Sequence, residues 1–189
     1  MSNDNHPILP EPIDDGACNH LLGQYLPSVT LMSTSNRLVD LGRITGKCVV
    51  YCYPLTAQPD MKLPQGWDGI PGASGCTPQA RGFRDHYQEL KSLGVQVFGM
   101  STQDTSYQQE VVERLLLPFE LLSDSSLEFT TEMRLPTFSI ENMTFIKRLT
   151  IITYNGKVEK VFYPVFPPNK NAEDVTNWFS ENFSQPTTC

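Results

Sequence analysis

Histidine is scarce in this chain of 189 residues: there are 3, and the 5 cysteines, Cys18, Cys48, Cys52, Cys76 and Cys189, neither cluster with them nor form a C-x-x-C pair. That scatter offers no zinc spacing and no dithiol motif, so no metal or cofactor is expected and a thioredoxin-type dithiol exchange is disfavoured. An odd, unpaired set also argues against a secreted disulfide framework and leaves at least one free thiol. Basic residues are in the minority, with 14 Lys and Arg against 21 Asp and Glu and a formal charge of −7. Such a field repels phosphate, which removes nucleic acid as a partner, and no glycine-rich phosphate loop follows a strand. Long apolar runs are missing too. CVVYCY and LLLPFELL fall short of the roughly 18 residues that cross a bilayer, so no membrane association is expected. The opening MSNDNHPILPEPIDDG has neither a basic n-region nor an apolar h-region, and a cytoplasmic location is the expectation.

Hydrophobic residues make up 39% and charged residues 19%, a composition suited to one globular domain with a core of its own. Prolines 7, 10, 12 and 27 mark residues 1–27 as an N-terminal arm, residues 28–184 as the domain, and 185–189 as a polar tail. Residues 28–40 alternate weakly, and Lys47–Tyr53 is a β-branched and aromatic run that reads as a central strand ended by Pro54. Residues 55–75 are dense in proline and glycine and read as a long loop, functional or a tolerated insertion. Beyond it, helices are expected from Thr77 to Gly94, over Ser106–Leu117, Ser126–Arg134 and Ala172–Phe183, with strands at Val95–Met100 and Phe119–Leu122. Leu149–Tyr154 and Lys157–Tyr163 flank Asn155-Gly156, a hairpin turn signal. The alternation predicts an α/β protein of thioredoxin-like fold, with a mixed central sheet covered by helices on both faces.

Cys76 falls where the long loop ends and the first long helix begins. Unpaired N–H groups and the positive end of the helix dipole stabilise an anion there, and cysteines so placed are the reactive ones. Ser74 and Thr77 are placed to cap the helix or donate to the sulfur, and Gly75 permits close backbone approach. A cysteine hydrolase would need a histidine beside the sulfur, and His86 sits ten residues along the same helix, about 15 Å away.

The segment GCTPQARGFRD resembles the active-site motif of peroxiredoxins, in particular the bacterioferritin-comigratory or Q-type branch. The likeness continues in order through VVYCYP, LGVQVFGMST, LPFELLSD and KRLTIITYNGKVEKVF, covering about residues 24–183. It implies a thiol-dependent peroxidase acting on hydrogen peroxide or small organic hydroperoxides, with Cys76 as nucleophile passing through a sulfenic acid and Arg148 as its electrostatic partner. Pro71, Ser74, Gly75, Thr77 and Gln79 would shape the pocket. The pattern departs in two places. The family's threonine three residues before the cysteine and proline seven before it are here Ala73 and Gly69, with Ser74, and Pro54 or Pro71, as substitutes around an insertion at 55–70. The Q-type resolving cysteine five residues on is Arg81, which either adds positive charge near Cys76 or pairs with Asp85.

Cys48 and Cys52 share one strand face and belong to the core. Cys18 and Cys189 lie on segments expected to be flexible and are the candidate resolving thiols. The other course is a one-cysteine enzyme reduced by an external thiol such as thioredoxin or glutathione. The assembly expected is a monomer or weak homodimer. A non-catalytic relation remains the alternative, a redox sensor or a partner-binding protein using the loop around Trp67.

Overall fold

A computed structural model describes residues 9–183. Its main sheet has seven strands in the order β2-β1-β5-β4-β3-β8-β9. They are β1 (Thr30–Ser33), β2 (Leu38–Asp40), β3 (Lys47–Cys52), β4 (Val95–Ser101), β5 (Glu120–Ser123), β8 (Leu149–Tyr154) and β9 (Lys157–Phe162). Strands β3, β4 and β5 run parallel, β8 runs antiparallel to β3, and β9 antiparallel to β8. Both turn residues of the β8–β9 hairpin have positive φ, 49° at Asn155 and 75° at Gly156, as its dipeptide signal requires. Four helices complete the domain: α1 (Cys76–Ser92), α2 (Thr105–Leu115), α3 (Glu128–Glu132) and α4 (Asn171–Asn182).

The period of two along β3 divides the core. Val49 and Tyr51 face a layer built with Phe83 of α1, Val111 of α2 and Phe179 of α4, whereas Cys48, Val50 and Cys52 face Phe129 of α3 and the N-terminal segment. Helices therefore cover both faces, in agreement with the mixed thioredoxin-like arrangement read from the sequence.

Several elements differ from expectation for local reasons. The helix expected over Ser126–Arg134 is only the short α3, entered and left through left-handed residues, Leu127 at φ 60° and Arg134 at φ 50°. Residues 28–40 fold back as the β1–β2 hairpin instead of running on. After α3 the chain runs through Leu135 and Pro136 into β6 (Thr137–Ile140), for which no strand was expected and which pairs with β7 (Met143–Ile146) in a separate two-stranded sheet. The arm is no free appendage between residues 18 and 26. Leu21 and Leu26 are buried, and the backbone bonds Gly23 N to Val158 O (2.9 Å) and Leu26 N to Gly156 O (2.8 Å) lay this segment along β9. It covers what would otherwise be an open sheet edge, so the domain begins before residue 28.

Gly99, in the middle of β4, sets the seat of α1. It pairs with Tyr51 across β3 and β4, and a Cβ there would lie 2.5 Å from Leu121 Cδ2 and 2.7 Å from the Tyr51 hydroxyl. The missing side chain lets the Tyr51 ring lie across β4 and stack on Phe83 of α1, centroids 4.5 Å apart and nearly parallel at 8°. Gly99→Ala is therefore expected to destabilise the domain by about 1–3 kcal/mol through overpacking. In thermal melts this is a fall of about 2–4 °C per kcal/mol.

Candidate active site

The chain leaves β3 at its carboxyl end, crosses the inserted loop, and enters α1 at Cys76. Gly75 precedes the helix with φ 108°, and no side chain caps this end. A Cβ at Gly75 would run into the ring of Pro168, so glycine is required both by the backbone conformation and by the approach of the turn before α4. Pro78 lacks an N–H, which leaves the amides of Cys76 and Thr77 as the free donors of the first turn, since Gln79 N already bonds Gly75 O (3.1 Å).

Cys76 is buried at 4% exposure, and Arg148, which precedes β8, at 3%. Arg148 Nη2 donates to Cys76 Sγ at 3.1 Å and also meets the carbonyl oxygens of Gly72 (3.3 Å), Ala73 (3.1 Å) and Ser74 (3.3 Å). Arg148 Nη1 donates to Gln79 Oε1. Among the described residues no carboxylate lies within ion-pair distance of this guanidinium. Carbonyl dipoles solvate its charge without neutralising it, and buried charges call for a counter-charge. The Cys76 sulfur is the group in contact that is able to supply one.

A cleft of about 160 Å³ opens at Cys76, bounded by Gly75, Thr77 and, from the inserted loop, Leu55, Leu63 and Trp67. The loop is ordered around Trp67, which is 3% exposed and packs with Ala73 and Phe145. Its ring stands edge-on to Phe145 of β7, centroids 5.1 Å apart. The loop and the residue three before Cys76 therefore share one small cluster, with Ala73 at 0% exposure. Residue 73 lies wholly within this small apolar core, which offers a hydroxyl little polar company.

The other expected residues divide. Gln79 joins Cys76 and Arg148, and Thr77 lines the cleft. Ser74 borders the cleft, but its hydroxyl donates to Asp68 Oδ1 (2.9 Å) and so is not turned to the sulfur as expected of a substitute for threonine. Pro71 lines a separate hollow of about 380 Å³ that reaches Arg148 but not Cys76, because the turn at 72–74 folds over Arg148 between the two. Pro54 is buried directly after β3. Arg81 stays at the surface, and Asp85 pairs instead with Arg84 at 2.9 Å.

Cys18 is not on a free segment. It is buried in the layer containing Cys48 and Cys52, across the sheet from Cys76, because Leu21 and Leu26 draw the N-terminal segment onto that face. Burial, reinforced by Asp15 and Asp14, pushes the Cys18 thiol up to about 12; burial does the same to Cys48 and raises Cys52. Cys189 lies outside the described residues. Of the described histidines, His20 bonds Met133 O at 2.9 Å and His86 lies 3.6 Å from Glu89, so neither serves Cys76. Sequence reasoning missed two buried polar groups behind the site, Thr150 and Asn171. Their signal was present as a buried-strand threonine, Thr150, at the start of β8 and an asparagine at a helix start.

The chain belongs to the redoxin family, whose model matches residues 21–176, and within it to the peroxiredoxins of the Bcp and Q kind. It is 31% identical over 165 residues to peroxiredoxin Bcp of Escherichia coli K12, a match covering 85% of this chain and 96% of that one. To the chloroplastic peroxiredoxin Q of Oryza sativa subsp. japonica it is 30% identical over 150 residues, 79% of this chain; the match spans 62% of the rice protein's length. The fold matches that of the Xanthomonas campestris bacterioferritin comigratory protein, solved in work on its alkyl peroxide reduction activity. That match has a TM-score of 0.66 at 17% identity and covers 82% of this chain and 95% of that one. No helix among the described residues is long and apolar enough to cross a membrane.

Proposed function

We propose that this protein is a thiol-dependent peroxidase in which Cys76 attacks small organic hydroperoxides and hydrogen peroxide. The observation that carries the reading is the buried guanidinium, without a carboxylate, held 3.1 Å from a sulfur at a helix start. The Cys76 thiolate attacks one peroxide oxygen; an S–O bond forms, the O–O bond breaks, and the second oxygen leaves with a proton as alcohol or water. Sulfur is oxidised to sulfenic acid as the peroxide is reduced. Arg148 and the Cys76 and Thr77 amides face the place where charge develops on the separating oxygens.

The reducing equivalents come from outside. The described cysteines other than Cys76 sit across the sheet, so two external thiols, of the thioredoxin or glutathione kind, return the sulfenic acid to thiol and leave as disulfide and water, unless Cys189, outside the described residues, first forms a disulfide with Cys76 that those thiols then reduce. A reducing, cytoplasmic setting and a monomer or weak homodimer suit this cycle. The cleft's volume of about 160 Å³ corresponds to about five waters. With Leu55, Leu63 and Trp67 as walls, it suits a compact alkyl or aryl group beside the peroxide, in keeping with the alkyl peroxide reduction of the Xanthomonas relative.

A second reading, a peroxide sensor that is oxidised without turning over, is favoured by one feature: position 73 has no hydroxyl and that of Ser74 is given to Asp68. Dimedone trapping with peptide mass spectrometry, after exposure to hydrogen peroxide and to cumene hydroperoxide, tests the proposal. One label at Cys76 is expected, formed faster with cumene hydroperoxide, followed by multiple turnovers when thioredoxin or glutathione systems are added. An unlabelled Cys76 overturns both readings. A labelled Cys76 without turnover leaves the sensor.

A further inference from the structure

Gln79 holds the Arg148 guanidinium only if its amide presents oxygen and not nitrogen, and nothing in Gln79 itself decides which. Arg148, which can only donate, calls for the oxygen, and the groups behind Gln79 fix the other end of its amide. Gln79 Nε2 donates to Asn171 Oδ1 at 2.9 Å, and Thr150 Oγ1 donates to the same oxygen at 2.7 Å. All three side chains are buried, Gln79 and Thr150 at 0% and Asn171 at 2% exposure. An oxygen that accepts two hydrogen bonds has an unambiguous orientation, because turning the Asn171 amide would set its NH₂ against the Gln79 NH₂. Gln79 is then obliged to turn Oε1 toward Arg148 Nη1, which leaves Nη2 aimed at the sulfur.

We propose that Asn171 and Thr150 are positioning residues for the Cys76 chemistry. The inference rests on the peroxidase reading for its purpose, but the device is independent of it. Three elements converge on one amide: β8 carries Thr150, α4 opens with Asn171, and α1 carries Gln79 one turn beyond Cys76. The chain of donors runs in one direction from both ends, Thr150 to Asn171, Gln79 to Asn171, and Arg148 to Gln79. Losing the Asn171 acceptor leaves the buried Gln79 NH₂ facing no acceptor, a mismatch relieved only by moving the amide off the guanidinium. Low dielectric makes such a mismatch expensive. Using an amide at position 79 also leaves the guanidinium charge for the sulfur instead of spending it on a carboxylate.

The test is alkylation of Cys76 by iodoacetamide in the reduced full chain, read by mass spectrometry of its peptide, which needs no peroxidase activity. Thr150→Val removes the hydroxyl at constant shape, and Thr150→Ser restores it; Asn171→Leu removes the acceptor. Alkylation at neutral pH is expected to slow about tenfold in Thr150→Val and more in Asn171→Leu, the effect of weakening one hydrogen bond to a charged group. Thr150→Ser should recover most of the loss. At about pH 10, where a thiol ionises unaided, all variants should react alike, which a misfolded site would not do. Equal neutral rates for Thr150→Val and wild type would overturn the proposal, as would failure of Thr150→Ser to recover. Should Asn171→Leu not fold, the Thr150 pair decides alone. Absence of dimedone labelling in the wild type would defeat the peroxidase reading and leave this result standing.

Discussion

Cys76→Ser is expected to lower peroxide consumption, supported by thioredoxin or glutathione, on the order of a thousandfold or more, to the solution background. Serine fills nearly the same volume and accepts the same contact from Arg148 Nη2, so the site stays built; what disappears is the thiolate, the only form of the residue that is nucleophilic near neutrality. The contrast is Cys18→Ala, expected to turn over within about twofold of wild type. Its sulfur lies across the sheet from Cys76, and burial keeps it a thiol with a value of about 12. Initial rates with both variants and the wild type check the pair. A Cys76→Ser protein that still consumes peroxide at the wild-type rate would remove the nucleophile from its assigned place. Loss of turnover in Cys18→Ala would mean that the N-terminal segment leaves the core during the cycle.

The elements that place Cys76 were readable because each had strong local chemistry. Pro54 stops β3, Gly94 stops α1, and Asn155-Gly156 turns the last hairpin, in each case through a backbone property of the residue itself. The hairpin of β6 and β7 was less visible because its turn, Glu141-Asn142, reaches φ 50° and 61° without glycine. Tertiary packing of Phe145 against Trp67 holds it in place of intrinsic preference. For the same reason the inserted loop read as irregular: its order comes from one tryptophan finding partners far along the chain. Cys18 was misplaced because proline content describes what the arm cannot form but not what Leu21 and Leu26 bury. In the candidate site, the meeting of Cys76, Gln79 and Arg148 was legible from the family resemblance. The Ser74 hydroxyl was not, since its choice of Asp68 depends on where the 3₁₀ turn Trp67–Gly69 puts that carboxylate.

Arg148→Leu is expected to slow Cys76 oxidation by about a hundredfold to a thousandfold, the scale of deleting a preorganised donor aimed at developing charge. Stability should move in a different proportion. Burying a guanidinium among carbonyl oxygens without a carboxylate carries a desolvation penalty that those dipoles offset only in part. The leucine variant gives up that charge but leaves the Gln79 amide oxygen and the carbonyl oxygens of residues 72–74 without this donor, and with the two effects opposed its melting temperature should stay within about 4 °C of the wild type. Large loss of rate with little loss of stability is the signature of a charge kept for chemistry. Arg148→Lys should not rescue the rate. An ammonium is a point charge on a flexible stem and cannot meet Gln79, the 72–74 carbonyls and the sulfur at once as the planar fork does. Stopped-flow oxidation and thermal melts of the two variants check both halves. A lysine variant as fast as wild type would reduce Arg148 to a source of positive charge, and a leucine variant that is fast but unstable would make it a structural residue.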